Sequence, residues 1–301
     1  MKRYAVVAIT LVAAVGMVTA VFASIQRKDG MQVQFNTRDL PEHGIHIVTP
    51  VDKSFDDLAA IHFKNRSPES LKPFAVFIKN SGHKPVLAYA LKWELRDQDG
   101  RLITSNTIGY SELGLLMGDE IPKDVKHTNT IEPGAMRCFS WDSQIEQDAV
   151  EAVGATGMSS RPLPTVEGGS SILASKLSQA TNVSVSVDGV FFEDGTFVGP
   201  NTTGYFEQIQ AMLNARVDLL REIAVASKKG NLDEVLDSIT ATSREPQVVF
   251  SERFVADEYY RFFRKIYATE ITAQHYAYGK ERVVPFLLQH YERARPSLRK
   301  E

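Results

Sequence analysis

The hydrophobic positions of the chain change their spacing near residue 200. From residue 45 to about residue 198, apolar and polar residues alternate in short runs separated by turn residues, which is typical of β-strands. From Thr202 onward the apolar residues recur every three or four positions, as on one face of an α-helix. The pattern therefore predicts an α+β chain with a β-rich domain over 45–200 and a helical C-terminal region over 201–301.

The most regular alternation lies between Val86 and Arg96. We expect one face of this strand to be buried and the other to be wet. The buried face would carry Leu87, Tyr89, Leu91, Trp93 and Leu95. Residues 97–100 supply a tight turn, and residues 102–107 return as the partner strand. An apolar run at 74–78 predicts a third strand beside this hairpin, as a meander.

A second region of alternation lies between residues 183 and 198. Val183, Val185 and Val187 alternate with Ser184, Ser186 and Asp188. The turn Glu193-Asp194-Gly195 then joins two short apolar runs as a second hairpin. At least seven short strands with turns between them favour an antiparallel β-sandwich over an α/β fold. Two long connections, 108–130 and 154–172, interrupt these strands.

Amphipathic helices are predicted throughout the C-terminal region. The first ends at Gly230, and Asn231 opens the second with the spacing of a capping box. Ser251 is the predicted cap of the third helix, and a last helix surrounds Pro285.

The N-terminus carries Lys2 and Arg3 before an uncharged, largely apolar run that extends to Ala23. This arrangement predicts a signal peptide cleaved after Ala23. The run is also long enough to cross a hydrocarbon layer about 30 Å thick as an uncleaved membrane anchor. Either alternative places the protein outside the cytoplasm: periplasmic, secreted or anchored by this helix. We therefore expect a leader or anchor over 1–25 and a linker over 26–44.

Composition and charge limit the functional classes. A chain of 301 residues with 43% hydrophobic content can bury the cores of about two domains. The formal net charge of −3 gives no reason to expect a nucleic-acid partner. Cys138 is the only cysteine, so no intramolecular disulfide can form and the fold depends on its core.

Three segments of the chain resemble exported bacterial proteins of uncharacterised function. They are Phe77-Ile78-Lys79-Asn80-Ser81-Gly82-His83-Lys84-Pro85, Ile131-Glu132-Pro133-Gly134, and the stretch from Asp188 to Pro200. Their order of strand, Asn-Ser turn, strand and Pro-Gly also resembles immunoglobulin and fibronectin modules. The resemblance covers roughly residues 70–215 and implies an immunoglobulin-like sandwich, without catalytic residues or a cofactor.

Catalytic and metal-binding motifs are incomplete in this sequence. Ser111 lies in a segment whose second glycine comes one residue late for a hydrolase nucleophile elbow. Asp97 and Asp99 precede a glycine at the fourth position, whereas a calcium loop has glycine at the sixth. His43 and His46 offer two ligands, but a zinc site needs a third. We therefore expect no catalytic residue, metal or cofactor.

The third predicted helix has more aromatic residues than one buried stripe requires. They are Tyr259, Tyr260, Phe262, Phe263, Tyr267, Tyr276 and Tyr278. Either the helix is buried on two sides, or it presents an aromatic and basic patch of the kind found at protein interfaces. From Glu252 onward there are 10 basic and 7 acidic residues, which favours an acidic partner or a membrane surface. The candidate binding residues are Tyr259, Tyr260, Phe263, Arg261, Arg264 and Lys265.

These patterns predict an exported, non-catalytic interaction protein of the bacterial cell envelope. Its expected partner is a protein, with membrane contact through the N-terminal segment if that segment is uncleaved. Substituting Tyr260 and Arg264 together is expected to leave folding intact and to abolish the complex. The alternative is a cell-envelope hydrolase with a site between the sandwich and the helices, where His127, Glu193 and Asp194 are candidate acids or bases. A third possibility is a structural spacer.

Overall fold

The computed structural model describes residues 21–26, 32–63, 72, 74–112, 116, 130–139, 177–251, 255–293 and 298–301. The strands are β1 (Val21–Gln26), β2 (Gln32–Arg38), β3 (Ile45–Val48), β4 (Val76–Asn80), β5 (Val86–Arg96), β6 (Leu102–Ser111), β7 (Met136–Phe139), β8 (Asn182–Phe192), β9 (Thr196–Val198) and β10 (Arg299–Lys300). The helices are α1 (Phe55–Phe63), α2 (Tyr205–Lys229), α3 (Leu232–Ser243), α4 (Ala256–Tyr278) and α5 (Lys280–Arg293), with a 3-10 turn at Pro41–His43. The predicted α+β class is confirmed.

The strands form two open sheets. The larger sheet has the order β1-β2-β8-β5-β6, with β9 beside β8 and β10 beside β9, and the smaller sheet has the order β3-β4-β7. Most neighbours are antiparallel, but β2 runs parallel to β8, and β10 runs parallel to β9. The prediction of purely antiparallel sheets is wrong for these two pairs. Side chains alternate between the two faces of a strand whether its neighbour runs parallel or antiparallel. The alternation in the sequence therefore cannot distinguish the two kinds of pairing.

Both predicted hairpins are confirmed. β5 and β6 pair antiparallel, and in the turn between them Asp97 Oδ1 accepts the backbone N–H groups of Asp99 and Arg101, each at 2.9 Å. β8 and β9 pair antiparallel around the second turn, where Asp194 Oδ1 accepts the N–H of Thr196 at 3.1 Å. In each turn an aspartate oxygen takes the place of a backbone acceptor, as is typical of Asx turns.

β4 does not join the first hairpin, so the predicted meander is wrong. It lies in the smaller sheet, and the chain crosses to the larger sheet before β5. Asn80 is fully buried at this crossing. Its amide Nδ2 donates to the carbonyls of Lys84 at 2.9 Å and Ile131 at 2.8 Å, and its Oδ1 accepts the N–H of Gly82. These bonds fix a connection between sheets where the sequence pattern indicated a turn within one sheet.

Residues 32–38, inside the predicted linker, belong to the fold. β2 is hydrogen-bonded to β8, and the side chains of Val33 and Phe35 are fully buried. Burying such a side chain stabilises a fold by about 1.5–3 kcal/mol, so the interpretation of 26–44 as a solvated linker is wrong for this stretch. Of the predicted leader, 1–25, the structure describes residues 21–25, which pair with β2 as part of β1, and the rest lies outside the described residues. Within the described ranges no helix is long and apolar enough to span a membrane.

Two hydrophobic clusters cover the larger sheet. The first combines residues of both sheets, including Phe35, Ile45, Ile78, Trp93 and Val185. The second lies on the opposite face of β5 and β8 and combines them with the helices, including Ala88, Ala90, Phe191, Leu213 and Ile271. The face of β5 that was predicted to be wet is therefore covered by helices at Ala88 and Ala90.

Leu87 departs from the predicted face of β5. The pairing of β5 with β8 shifts register between Val86 and Ala88, which is an irregularity of the β-bulge type. Leu87 belongs to the helical cluster, whereas Tyr89 belongs to the cluster between the sheets. The register shift separates two residues that strict alternation assigns to one face.

The predicted C-terminal helices are present, although the third begins later than its predicted cap. α2 ends at Gly230, whose left-handed backbone lets its N–H donate to the carbonyl of Ala226 at 2.9 Å. Asn231 precedes α3 as predicted, but its side chain makes no capping hydrogen bond within the described part, so the predicted capping box does not form. α4 begins after Val255 and not at Ser251.

Candidate functional site

One face of α4 is anchored in the helical cluster. Tyr267, Ala268, Ile271 and Thr272 are buried at the three- and four-residue spacing of a helix face. Burial raises the pKa of Tyr267, while Arg216, whose guanidinium lies 5.9 Å from the ring centroid, opposes the shift. This half of α4 is therefore buried on one face, whereas Tyr276 and Tyr278 near its end are exposed, so the helix is not buried on two sides.

Two predicted binding residues, Tyr260 and Arg264, lie between α4 and α2. The hydroxyl of Tyr260 donates to Asp218 Oδ2 at 3.0 Å. Arg264 Nη2 donates to both carboxylate oxygens of Glu222, at 2.8 and 2.9 Å, and only 23% of the Arg264 side chain is exposed. The structure uses both residues inside the chain, and they are not available as free contacts for a partner.

The electrostatics of this contact agree with its geometry. Burial raises the pKa of Tyr260, and its hydrogen bond to Asp218 raises it further. Burial lowers the pKa of Arg264, but the ion pair with Glu222 outweighs burial, and the net shift is upward. Both groups therefore keep their protons, so the hydrogen bonds between α2 and α4 persist over the physiological range.

Two basic candidates lie at the surface of α4. Arg261 Nε lies 2.9 Å from Asp257 Oδ2 one turn earlier, and both side chains are exposed. Lys265 is half-buried, and its backbone carbonyl accepts the hydroxyl of Thr269 at 2.8 Å. Exposed pairs of the Arg261 type contribute little to stability, so these positions can change their partners easily.

The remaining candidates, Tyr259 and Phe263, meet residues that the sequence analysis did not select. The ring of Phe250, which lies between α3 and α4, has its centroid 4.8 Å from that of Tyr259 and 5.1 Å from that of Phe262. Phe262 lies 5.2 Å from Phe263, in an edge-to-face arrangement. With two neighbouring valines these rings form one surface, which we call the aromatic corner: Val249, Phe250, Val255, Tyr259, Phe262 and Phe263.

Half of the aromatic corner faces solvent, whereas Tyr259, Phe262 and Phe263 are half-buried and Phe263 also packs against the helical cluster. The exposed fraction is 87% for Val249, 41% for Phe250 and 39% for Val255. Ser251, the residue after Phe250, holds this segment against α4. Its N–H and hydroxyl both donate to Glu258 Oε2, at 2.9 and 2.8 Å. These two bonds lower the pKa of Glu258 and tie the segment that carries Phe250 to the first turn of α4.

The sequence contains a signal for the missed residues. Val248, Val249 and Phe250 form an apolar run that begins two residues after Pro246, at a point where the helical spacing stops. An apolar run outside any helix or strand has no core face of its own, so it must either be covered by another part of the chain or stay exposed. Here Val249 and Phe250 stay exposed.

The hydrolase candidates do not assemble into a site within the described residues. His127 lies outside them, and Glu193 is exposed in the turn after β8. Burial raises the pKa of Asp194, but the hydrogen bonds from Lys84, at 2.6 Å, and from Thr196 outweigh it and lower the pKa to about 2. A carboxyl group with so low a pKa stays ionised near neutral pH and is unsuited to donate a proton.

Glu270 of α4 has a raised pKa, in contrast to the lowered pKa of Asp194. Burial raises its pKa, and the nearby charges of Arg216 and His290 partly oppose this. Gln274 Nε2 donates to Glu270 Oε1 at 3.3 Å, so the carboxyl group has a hydrogen-bond donor within its own helix. Among the described residues no group of three or more His, Cys, Asp or Glu is placed to hold a metal ion.

A groove of about 290 Å³ runs between the first halves of α2 and α4. Its lining includes two carboxylates, two amides and two aromatic rings: Glu207, Asp257, Gln210, Asn214, Phe206 and Tyr260. Burial raises the pKa of Glu207, but hydrogen bonds from Asn201 and other donors outweigh it, so this end of the groove stays anionic.

The basic excess of the last 50 residues is largely matched by acidic residues elsewhere in the chain. Among the residues that the structure describes, four ion pairs leave this region: Arg264 with Glu222 at 2.8 Å, Lys280 with Asp233 at 2.7 Å, Arg299 with Asp194 at 3.7 Å, and Lys300 with Glu207 at 3.4 Å. The charge asymmetry therefore helps to attach the C-terminal region to the rest of the protein.

Comparison with known proteins gives no match: no family model fits the chain, and neither a curated protein nor a solved structure is similar to it. The resemblance to exported bacterial proteins therefore rests on the sequence segments alone. The function of the chain is inferred from the exposure and contacts of its own residues.

Proposed function

We propose that this chain is an exported, non-catalytic binding protein of the bacterial cell envelope, which holds a protein partner at the aromatic corner. The observation that carries the proposal is the 87% exposure of Val249 beside Phe250, whose ring is in contact with those of Tyr259 and Phe262. Large contiguous patches of exposed apolar surface are uncommon on soluble monomers and often mark a binding site, whereas single exposed apolar residues are ordinary.

The composition of the corner favours a protein as the partner. Protein interfaces have an aromatic and aliphatic centre surrounded by a polar rim. The corner supplies such a centre, and Asp257, Glu258 and Arg261 lie beside it along α4. Asp257 and Arg261 are already paired with each other, so a partner can cover them without leaving an isolated charge.

The location outside the cytoplasm is part of the proposal and is supported by the sequence of residues 1–25. Fractionation of cells that express the C-terminally tagged chain tests it, together with sequencing of the mature N-terminus. A tagged chain in the cytoplasmic fraction with an intact Met1 would contradict export. A chain that begins at Ser24 supports cleavage, and an uncleaved chain in the membrane fraction supports anchoring.

For the architecture, we propose that the two sheets form an immunoglobulin-like sandwich. The support is the single core cluster to which both sheets contribute, for example through Trp93 of β5 and Ile78 of β4. The parallel pairing of β2 with β8 is a departure from a purely antiparallel arrangement. An experimental structure that places these sheets in separate cores would contradict the sandwich.

The partner is tested by photo-crosslinking in intact cells. A photoreactive amino acid replaces Val249 in one variant and Leu102 in a matched control, because Leu102 is a large exposed apolar residue on β6. We expect a protein adduct from position 249 and none from position 102. Adducts of equal yield at both positions, or none at position 249, would refute the proposed surface.

Substitutions provide the second arm of this experiment. Val249→Asp and Phe250→Ala should each reduce the recovered complex at least ten-fold, because side chains at an interface centre carry most of the binding energy. Leu102→Asp is the control with an equivalent change elsewhere. All three variants should keep their thermal unfolding midpoints within a few degrees, since exposed side chains contribute little to stability.

A further inference from the structure

The last residues of the chain form an added strand at the edge of the larger sheet. β10 pairs parallel with β9, so that Arg299 lies opposite Thr196 and Lys300 opposite Phe197. The N–H of Arg299 donates to the carbonyl of Gly195 at 3.0 Å, and the N–H of Glu301 donates to the carbonyl of Phe197 at 3.1 Å. The outer edge of β9 therefore binds an extended segment through its backbone.

The basic side chains of β10 bind two carboxylates, one that precedes β9 in the sequence and one that follows it. Arg299 Nη2 lies 3.7 Å from Asp194 Oδ2 in the turn before β9. Lys300 Nζ lies 3.4 Å from Glu207 Oε1 in the first turn of α2, and 5.5 Å from the centroid of the Phe206 ring. Arg299 and Lys300 thus each lie near one carboxylate, and Lys300 also lies near the face of an aromatic ring.

The groove between α2 and α4 begins at the residues that hold Lys300. Phe206 and Glu207 contact Lys300 and also line the groove, which continues along α2 to Asn214 and across to Asp257 on α4. The tail runs parallel to β9, towards the start of α2. A segment that followed the same path and continued for several residues would enter a groove whose lining is mostly apolar and includes carboxylate and amide groups.

We propose that the outer edge of β9 and the groove that begins at Phe206 and Glu207 form a strand-addition site for an extended, basic segment of a partner protein, and that the chain's own tail is the internal competitor. Strand addition is a common mode of peptide recognition, in which the backbone supplies affinity and side-chain sites supply specificity. The tail shows the chemistry that the site accepts: two adjacent basic residues in an extended conformation.

The tail has an entropic advantage over a separate partner segment because it is covalently attached to the site. A tail held by a short connection acts at an effective concentration on the order of millimolar, so a partner segment must bind more tightly than the tail does in order to replace it. The tail is two strand residues long and Leu298 before it packs against the helical cluster, but more than two fifths of the Arg299 and Lys300 side chains are exposed. A longer segment that also fills the groove can therefore displace it.

The test measures binding of a labelled peptide with the sequence of residues 294–301 by fluorescence polarisation. The full chain is compared with a chain truncated after residue 297. Because truncation removes the competitor, we expect the truncated chain to bind the peptide at least ten-fold more tightly. A peptide with Glu at the positions of Arg299 and Lys300 should bind at least ten-fold more weakly, and Glu207→Gln in the truncated chain should weaken binding at least three-fold.

Controls separate competition from damage to the fold and from the aromatic corner. Circular dichroism reports whether the truncated chain is folded, and if it is not, the full chain with Arg299→Glu and Lys300→Glu takes its place. Phe250→Ala should leave peptide binding unchanged, so this result is independent of the proposed function. Equal binding by folded full and truncated chains, insensitivity to charge reversal, absence of binding at millimolar peptide, or unfolding of both variants would each overturn the proposal.

Discussion

Thr202 binds the carboxylate of Asp188 twice, through its backbone N–H, which lies 2.7 Å from Oδ1, and through its hydroxyl. Thr203 repeats the arrangement at Oδ2, with its N–H at 3.0 Å. Asp188 is 1% exposed, so each oxygen has two donors inside the protein. Burial raises the pKa of Asp188, but these four bonds outweigh it, and the net shift is downward. The carboxylate joins β8 to the segment that begins α2.

Asp188→Ala should strongly destabilise the protein. The change removes the acceptor of all four hydrogen bonds from Thr202, which is exposed, and Thr203, which is half-buried. Hydrogen bonds to a charged group contribute about 1.5–3 kcal/mol, so the expected loss is about 2 kcal/mol of the free energy of unfolding. Asp188→Asn should also be destabilising, because its amide group would direct a donor at donors. Urea denaturation near neutral pH measures both effects.

The matched control for this prediction is Glu193→Ala, which removes an exposed carboxylate five residues later. It should change the free energy of unfolding by less than about 0.5 kcal/mol, as is usual for a surface side chain. Similar losses for the two alanine variants would mean that Asp188 does not hold the sheet and the helices together.

Gly189→Ala should destabilise the sheet at the next position of β8. A Cβ atom there would lie 2.2 Å from Cζ of Phe197, whose ring is fully buried. Overpacking of this kind costs typically about 1–3 kcal/mol. Phe197→Leu in the same chain should recover part of the loss, since it removes the atoms that clash. Simple addition of the two single-variant losses in a urea denaturation series would contradict this explanation.

Residue patterns predicted most of the secondary structure because burial on one side is visible in a single strand or helix. Val183, Val185 and Val187 are buried as their alternation indicates, and α2 ends at the predicted Gly230. Pairing between strands is less visible, because it depends on residues far apart in the sequence. The β2–β8 pair and the position of β4 in the smaller sheet were therefore missed.

Local irregularities and buried polar groups also escaped prediction. The register shift near Leu87 turns one leucine to the helical side, and no residue type marks it in the sequence. Asp188 follows Ser184 and Ser186 in the polar positions of β8, as if it faced solvent, yet it is buried because Thr202 and Thr203 supply its hydrogen bonds. A pattern of hydrophobic positions contains no information about such distant donors.

The candidate binding site was predicted only in part. Tyr259 and Phe263 lie in the aromatic corner, as a surface patch on α4 requires. Tyr260 and Arg264 lie on the side that faces α2, and that side became identifiable only once the neighbouring helix was placed. The most exposed member, Val249, lies outside any helix, so helical spacing could not find it.

Substitution of Tyr260 and Arg264 should weaken the contact between α2 and α4, contrary to the expectation from sequence that folding is unaffected. Tyr260→Phe removes the bond to Asp218 and should cost about 1 kcal/mol of the free energy of unfolding. Arg264→Ala removes the ion pair with Glu222 and should cost up to about 1 kcal/mol. Urea denaturation of the single and double variants measures both contributions.

Arg261→Ala is the matched control, because its pair with Asp257 is exposed and lies within one helix. Its cost should stay below about 0.5 kcal/mol. If the double variant with Tyr260→Phe and Arg264→Ala were as stable as the Arg261→Ala control, the α2–α4 contact would not depend on these hydrogen bonds.

Asp194 should make the turn between β8 and β9 sensitive to acid. Its pKa is lowered from 3.8 to about 2, because hydrogen bonds from Lys84 and Thr196 outweigh burial. A lowered folded-state pKa adds stability that is complete above the unfolded-state value and is lost as pH falls from about 4 to about 2. The stability difference between the natural chain and Asp194→Asn should therefore be largest near neutral pH and should shrink over that interval. Lys84→Gln should move the loss to higher pH, since it removes the nearest cation, and a difference that stayed constant from neutral pH to pH 2 would show that Asp194 is not held by these partners.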